Sequence, residues 1–292
     1  MTSHPSSETP PELTIVIPVF NEAGAIGQVV RKVRTLHPEA ELLVIDDGSD
    51  DASGTIAEQA GATRVIRHPY NKGNGAAIKR GIHEARGAIV VLMDGDGQHD
   101  PADIARMIEH FPEYDMVVGA RGREGQAGWH RALANRIYNG LASYMTDFPI
   151  EDLTSGFRAF KREMILPYLH LFPNGFSYPT TSTMAMLKAG ANLKYIPIRT
   201  APRIGNSKIR LLHDGSRFFL ILMKLVTLFS PMRIFLPVSA LFGSMGATYS
   251  IYTLSHGRFT NMAALLLIVA VLVFLMGLIA EQLAAIHTQG RR

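Results

Sequence analysis

The chain's 292 residues suffice for one sizeable α/β domain with an appendage, and the absence of cysteine excludes disulfides, thiolate metal sites and a cysteine nucleophile. Its net charge of +4 is mildly basic, which fits an anionic membrane surface or phosphorylated substrates as well as nucleic acid. Hydrophobic residues make up 47% of the chain, an excess concentrated in the last quarter.

Residues 1–12, rich in Ser, Pro, Thr and Glu without an apolar core, are expected to be a disordered lead-in and not a signal peptide. Residues 13–19 form a β-branched run of strand type that ends in Phe20-Asn21-Glu22, with a helix to about residue 36. A second strand over residues 41–46 ends in Asp46-Asp47-Gly48-Ser49-Asp50-Asp51, followed by a helix over 52–60 and a third strand over 63–67. Asn71-Lys72-Gly73-Asn74-Gly75 opens another helix. Residues 87–93 make a fourth strand that runs into Asp94-Gly95-Asp96-Gly97-Gln98-His99-Asp100. Strands and helices alternating at this spacing predict a parallel sheet with right-handed crossovers. Each polar cluster falls at the carboxyl end of a strand, so the clusters should meet along the edge where open α/β sheets bind ligands.

Asp94 and Asp96, with the amide oxygen of Gln98, are hard oxygen donors suited to Mg²⁺ or Mn²⁺ accompanied by substrate phosphates. Taken alone, the same residues are equally an acidic turn made by glycine. Asp46 and Asp47 are placed either to accept hydrogen bonds from a ribose and base or to cap a turn. The Asn71–Gly75 turn offers backbone N–H groups at a helix N-terminus, which phosphates favour, or simply glycines that permit a tight helix start. It lacks the spacing of a Walker A loop or of G-x-G-x-x-G, which disfavours a P-loop ATPase and a dinucleotide enzyme.

A helix is expected over residues 101–111, then a strand over 116–120 that ends at Arg121. Beyond it lie Arg123, His130, Arg131 and Arg136, and helical spacing would bring Arg131 and Arg136 together, facing an anion or solvent. Residues 151–156 read as a polar turn leading into an aromatic strand, followed by a helix over 181–189 and a strand over 193–198. Arg203-Ile204-Gly205-Asn206-Ser207-Lys208 is a flexible basic loop.

Residues 234–255 and 260–280 carry no charge, and roughly 21 residues suffice to cross a hydrocarbon core of about 30 Å. Two such runs separated by His256-Gly257-Arg258 predict a membrane hairpin, with Ser239, Gly243 and Ala247 at the spacing of close helix contact. Before it, Arg210, His213, Arg217 and Lys224 fall on one helix face opposite Phe218, Phe219, Leu222, Leu225 and Phe229, as in a helix lying on a bilayer. Lys224 and Arg233 precede the hairpin and Arg291 and Arg292 follow it, while its turn holds only Arg258; both termini and the catalytic domain are therefore expected on the cytoplasmic side. The expected division is a catalytic domain over 13–209, an interfacial segment over 210–232, a hairpin over 233–282 and a cytoplasmic tail over 283–292.

Six motifs then stand in order: Val16-Ile17-Pro18-Val19-Phe20-Asn21-Glu22, Asp46-Asp47-Gly48-Ser49-x-Asp51, Asn71-x-Gly73-x-Gly75-x-Ala77, Met93-Asp94-x-Asp96-x-Gln98-His99, Thr154-Ser155-Gly156-Phe157-Arg158 and Arg203-x-Gly205-x-Ser207-Lys208. Over roughly residues 13–230 the chain thus resembles the family 2 glycosyltransferases of GT-A fold, an α/β, Rossmann-like, mostly parallel sheet with flanking helices. Within them it is most similar to the polyprenyl-phosphate glycosyltransferases, the group of dolichol-phosphate mannose synthase and undecaprenyl-phosphate glucosyltransferases.

The resemblance implies that Pro18, Val19, Asn21, Glu22, Asp46 and Asp47 hold the nucleoside, with Gly73 and Gly75 nearby. Asp94, Asp96 and Gln98 would bind Mg²⁺ or Mn²⁺ and, through it, the donor diphosphate, which Arg203, Ser207 and Lys208 would cover. Arg121, Arg131 and Arg136 would receive the acceptor phosphate, with Asp152 orienting arginine. The chain departs from the family at Gly95, often alanine, and at Gly97, often leucine or serine.

The implied partners are UDP-glucose or GDP-mannose as donor, undecaprenyl or dolichyl phosphate as acceptor, membrane lipids, and a second copy through the hairpin. An ionised phosphate can attack without a strong base, giving inversion; a saccharide hydroxyl would need one, and Asp152 is the candidate. A processive polysaccharide synthase is disfavoured because no Gln-x-x-Arg-Trp motif surrounds Trp129, the only tryptophan. A non-catalytic nucleotide-sugar-binding scaffold is disfavoured by the intact acidic turn and Ser-Lys loop. A nucleic-acid binder lacks a recognition motif.

Overall fold

The computed structural model describes residues 12–121, 129–175, 177–201, 223, 227, 230–258 and 260–289. The chain divides into two compact units at Arg210 and Leu211. The first is built on a seven-stranded sheet of β1 (Leu13–Val19), β2 (Glu41–Asp46), β3 (Arg64–Arg67), β4 (Ile89–Leu92), β5 (Met116–Arg121), β6 (Arg158–Lys161) and β7 (Leu193–Ile198), in the order β3-β2-β1-β4-β6-β5-β7. Neighbours pair in parallel except at β6, which runs antiparallel to both β4 and β5. Helices α1 (Ile26–Leu36), α2 (Ser53–Gln59), α3 (Asn74–Glu84), α4 (Asp103–Ile108), α5 (Trp129–Thr146), α6 (Arg162–Ile165) and α7 (Tyr178–Lys188) flank it.

The middles of the central strands β1, β2 and β4 are apolar because both faces are covered, with the polar Thr14, Glu41 and Asp46 near strand ends. Successive side chains alternate: Ile15 and Ile17 of β1 pack with Val29, Val30 and Val33 of α1, while Val16 packs on the other face with Ile78 and Ile82 of α3. Strand positions match the sequence expectation closely. The helix expected at 181 begins earlier, at Tyr178, where Pro179 sits in the first turn and needs no N–H donor.

The second unit contains two antiparallel helices, α8 (Met232–Ser255) and α9 (Asn261–Gln289), each long and apolar enough to cross a membrane. Their contact seam corrects the expected small-residue stripe. Ser239 donates its hydroxyl to Ala270 O at 2.8 Å and Gly243 lies against the same alanine, but Ala247 faces outward. The buried positions are Gly246, Ser250 and Thr253, so the seam steps by four, three, four and three residues, as a helix of 3.6 residues per turn requires. At the open end, Met232 N donates to Glu281 Oε2 at 3.3 Å, a carboxylate at a helix N-terminus. The expected interfacial helix lies almost wholly outside the described residues.

Candidate active site

At the carboxyl edge of the sheet β1, β2 and β4 end side by side, with Val19 opposite Asp46 and Leu92 opposite Val16. Pro18 and Val19 are buried strand residues. The turns that follow are tied to one another. Asn21, at φ 55°, accepts a hydrogen bond from Asp50 N at 2.8 Å and donates its own N–H to Ser49 Oγ at 3.0 Å. Glu22 N donates to Ser53 Oγ at 2.8 Å, and Glu22 O starts α1 by accepting from Ala25 and Ile26. Asp46 is buried and accepts from Ser49 N at 2.8 Å, with Arg67 Nε 3.5 Å from its other oxygen.

Asp47 is a latch. Its Oδ1 meets His68 Nδ1 at 2.7 Å and Lys72 N at 3.0 Å, and its Oδ2 accepts from Gly73 N at 2.8 Å. The next amides of the turn are also taken: Gly75 N donates to Gly175 O and Ala76 N to Asn174 O, each at 3.0 Å. A methyl on Gly75 would stand 1.9 Å from Pro173 O, so only glycine lets α3 start against this segment. Protein oxygens take these four amides, an arrangement that favours the reading of glycines that permit a tight helix start.

The acidic turn is held differently. Asp96 is buried and accepts from Gln98 N at 3.1 Å. Gln98 Nε2 lies 3.4 Å from Ala201 O, which leaves Oε1 as the amide atom for a cation. Gly95 replaces the family's frequent alanine where a methyl would come within 2.8 Å of Val19 Cγ1. Among the described residues no three His, Cys, Asp or Glu side chains converge as a metal cage. Two carboxylates and one amide oxygen nevertheless fit Mg²⁺ or Mn²⁺, which normally keep positions for water and substrate phosphate.

Across the site, Arg121 and Asp152 form a bidentate pair, Nε to Oδ2 at 2.8 Å and Nη2 to Oδ1 at 3.0 Å. Thr154 Oγ1 accepts from the same Nη2 at 2.7 Å. Asn139 of α5 pins the loop that carries Asp152 by donating to Glu151 O at 2.6 Å and accepting from Leu153 N at 3.2 Å. Burial disfavours both charges, yet the mutual hydrogen bonds and attraction outweigh it: the Asp152 carboxyl is held below its ordinary pKa and the Arg121 guanidinium above its own.

His99 is the site residue that the sequence reading left without a role. Its ring is half-buried and stacks on Phe157, with centroids 5.0 Å apart, and its buried Nδ1 has no hydrogen-bond partner among the described residues. Burial lowers the imidazole pKa, opposed by the charges of Asp94, Asp96 and Asp152 and reinforced by that of Arg121. One ring thus senses the acidic turn and the Arg121–Asp152 pair together. The motif Gln98-His99 was the only available signal. Of the remaining expected residues, Arg136 is exposed on α5, Arg131 lies on the same helix, and Arg203, Ser207 and Lys208 fall outside the described residues.

Residues 14–168 match the model of glycosyl transferase family 2, and residues 230–286 match the GtrB C-terminal hairpin. The chain is 28% identical over 300 residues to undecaprenyl-phosphate 4-deoxy-4-formamido-L-arabinose transferase of Edwardsiella ictaluri, covering 96% of this chain and 90% of that one. It is 29% identical over 222 residues to polyprenol monophosphomannose synthase of Mycolicibacterium smegmatis, covering 70% and 84%. Glucosyl-3-phosphoglycerate synthase from Mycobacterium tuberculosis, solved with Mn²⁺, UDP and phosphoglyceric acid, shares the fold with a TM-score of 0.61 at 18% identity, over 74% of this chain and 78% of that one. With more than half its length inside the family model, the chain belongs to glycosyl transferase family 2.

Proposed function

We propose that the chain is a membrane-bound inverting glycosyltransferase that moves a hexose from a nucleoside-diphosphate sugar to a polyprenyl phosphate at the cytoplasmic face. The observation that carries this reading is that the Asp94 carboxylate lies within electrostatic reach of Arg121, whose guanidinium Asp152 holds in fixed orientation. Asp94, Asp96 and Gln98 would hold Mg²⁺ or Mn²⁺, which when bound stabilises the charge that develops on the leaving diphosphate. Pro18, Val19, Asn21, Glu22, Asp46 and Asp47 frame the nucleoside end, and Arg203, Ser207 and Lys208 cover the diphosphate.

Arg121 Nη1 makes no hydrogen bond among the described residues, so the Asp152-held guanidinium keeps a donor for the acceptor phosphate, with Arg131 and Arg136 adding charge. Asp152 itself makes a poor general base, because both oxygens already accept hydrogen bonds and its pKa is depressed. That favours an acceptor that is already ionised over a saccharide hydroxyl. The undecaprenyl-phosphate and polyprenol relatives and the apolar hairpin support a lipid-linked phosphate, undecaprenyl or dolichyl. The same hairpin supports the division into a catalytic domain over 13–209, an interfacial segment and two spans.

The test supplies a panel of nucleoside-diphosphate sugars, UDP-glucose and GDP-mannose first, with and without a short polyprenyl phosphate. Nucleoside diphosphate should be released only when the lipid phosphate is present. Transfer to a saccharide without lipid would overturn the acceptor assignment.

A further inference from the structure

Arg158 heads the largest fully buried side chains among the described residues, and no step of the proposed transfer uses it. It opens β6 in register with Leu92 of β4, two residues before Asp94. A buried guanidinium is usually paired with a carboxylate, but among the described residues none lies within ion-pair distance of this one. Its donors fan out to neutral oxygens instead. Nε and Nη2 both donate to Ser155 O, the former at 3.0 Å. Nη1 donates to Pro179 O and Ser182 Oγ at 2.6 Å and to Thr183 Oγ1 at 3.1 Å. A neutral side chain would fill this space without desolvating a charge. What the arginine adds is a rigid planar fork that grips two segments at once.

Those two segments wall Asp94. Ser155 leads into Gly156, where a methyl would come within 2.9 Å of Asp94 Oδ2 and 3.0 Å of the Tyr178 hydroxyl. Tyr178 donates that hydroxyl to Gly156 O at 3.2 Å and opens α7, whose Pro179, Ser182 and Thr183 form the other side of the grip. We propose that Arg158 is a positioning residue for the metal-binding carboxylate: by clamping the Ser155–Gly156 turn to the first turns of α7, it fixes the wall against which Asp94 is held. The inference rests on the assignment of Asp94 to the cation.

The test measures Mn²⁺ binding to the full-length protein in detergent by electron paramagnetic resonance, with UDP or GDP and no sugar, alongside thermal unfolding. Arg158→Lys keeps the charge but loses the fork. It should still melt cooperatively while binding Mn²⁺ about tenfold more weakly, the scale on which residues that orient metal ligands act. Gly156→Ala, which crowds Asp94 from the same wall, should weaken Mn²⁺ likewise. Wild-type Mn²⁺ affinity in a folded Arg158→Lys overturns the inference. If that variant does not fold, Ser182→Ala/Thr183→Val, which removes two of the acceptors, decides in the same way. Asp94→Asn run in parallel separates the two failures. Loss of Mn²⁺ in Asp94→Asn but not in Arg158→Lys removes the clamp alone, whereas wild-type binding in Asp94→Asn removes the metal assignment beneath it.

Discussion

Asp152 and Asp94 are both carboxylates at the working edge of the sheet, but their surroundings assign them different work. Asp94→Asn or Asp96→Asn should lower transfer by about a hundredfold or more, because each removes charge that holds the cation on the diphosphate; turnover assays on membranes with unchanged protein content check it. Asp152→Asn should instead raise the KM for the lipid phosphate while leaving that for the nucleotide sugar nearly unchanged. Its stability effect has a definite pH sign. A carboxyl with a folded pKa below the unfolded value of about 3.9 contributes stability above that value and loses it as pH falls through the folded one. Denaturant unfolding should therefore separate wild type from Asp152→Asn at neutral pH, by on the order of 2 kcal/mol, and bring them together in acid. The sequence displays Asp94 and Asp96 plainly, since they follow an apolar strand, whereas Asp152 lies in the loop between α5 and β6. The sequence does not display that Asp47 is taken up by His68, Lys72 and Gly73, because that choice depends on where a segment some 25 residues away returns in space.

Elements were legible where period and turn chemistry agreed, as in β1 to β4 and the helices between them. The direction of β6 was not, because four residues of strand type carry no signal of polarity; its reversal is set by pairing with Leu92 and Val118 at its first residue. The start of α3 against Pro173–Gly175 was equally hidden, since the glycine motif looks the same whether its amides face a phosphate or a carbonyl. Gly75→Ala should accordingly destabilise the catalytic unit by about 3 kcal/mol through overpacking, read by denaturant unfolding. In the hairpin, the stripe of small residues was visible but its facing was off by one position after Gly243. Gly246→Leu should lower the thermal stability of the hairpin in detergent, because a side chain there meets Leu266 and Leu267, while Ala247→Leu on the outward face should not.

For the whole chain, the absence of cysteine makes topology directly measurable. On the proposed topology, with the catalytic unit and both termini cytoplasmic, His256→Cys in the turn between α8 and α9 should react with a membrane-impermeant maleimide in intact cells. Tyr70→Cys, at an exposed position of the catalytic unit, should react only after lysis. The reversed β6 bears on how the molecule is made. β4, whose four residues are all buried and apolar, leaves the ribosome about seventy residues before the strand that covers its edge, and β5 emerges between them without pairing to it. Until residue 161 is free, the growing chain therefore carries an open apolar edge of the kind that recruits other strands. Nascent chains stalled before β6 should bind trigger-type chaperones, and release of β6 should weaken that association as the gap between β4 and β5 closes, leaving only the outer edge of β5 to be covered by β7.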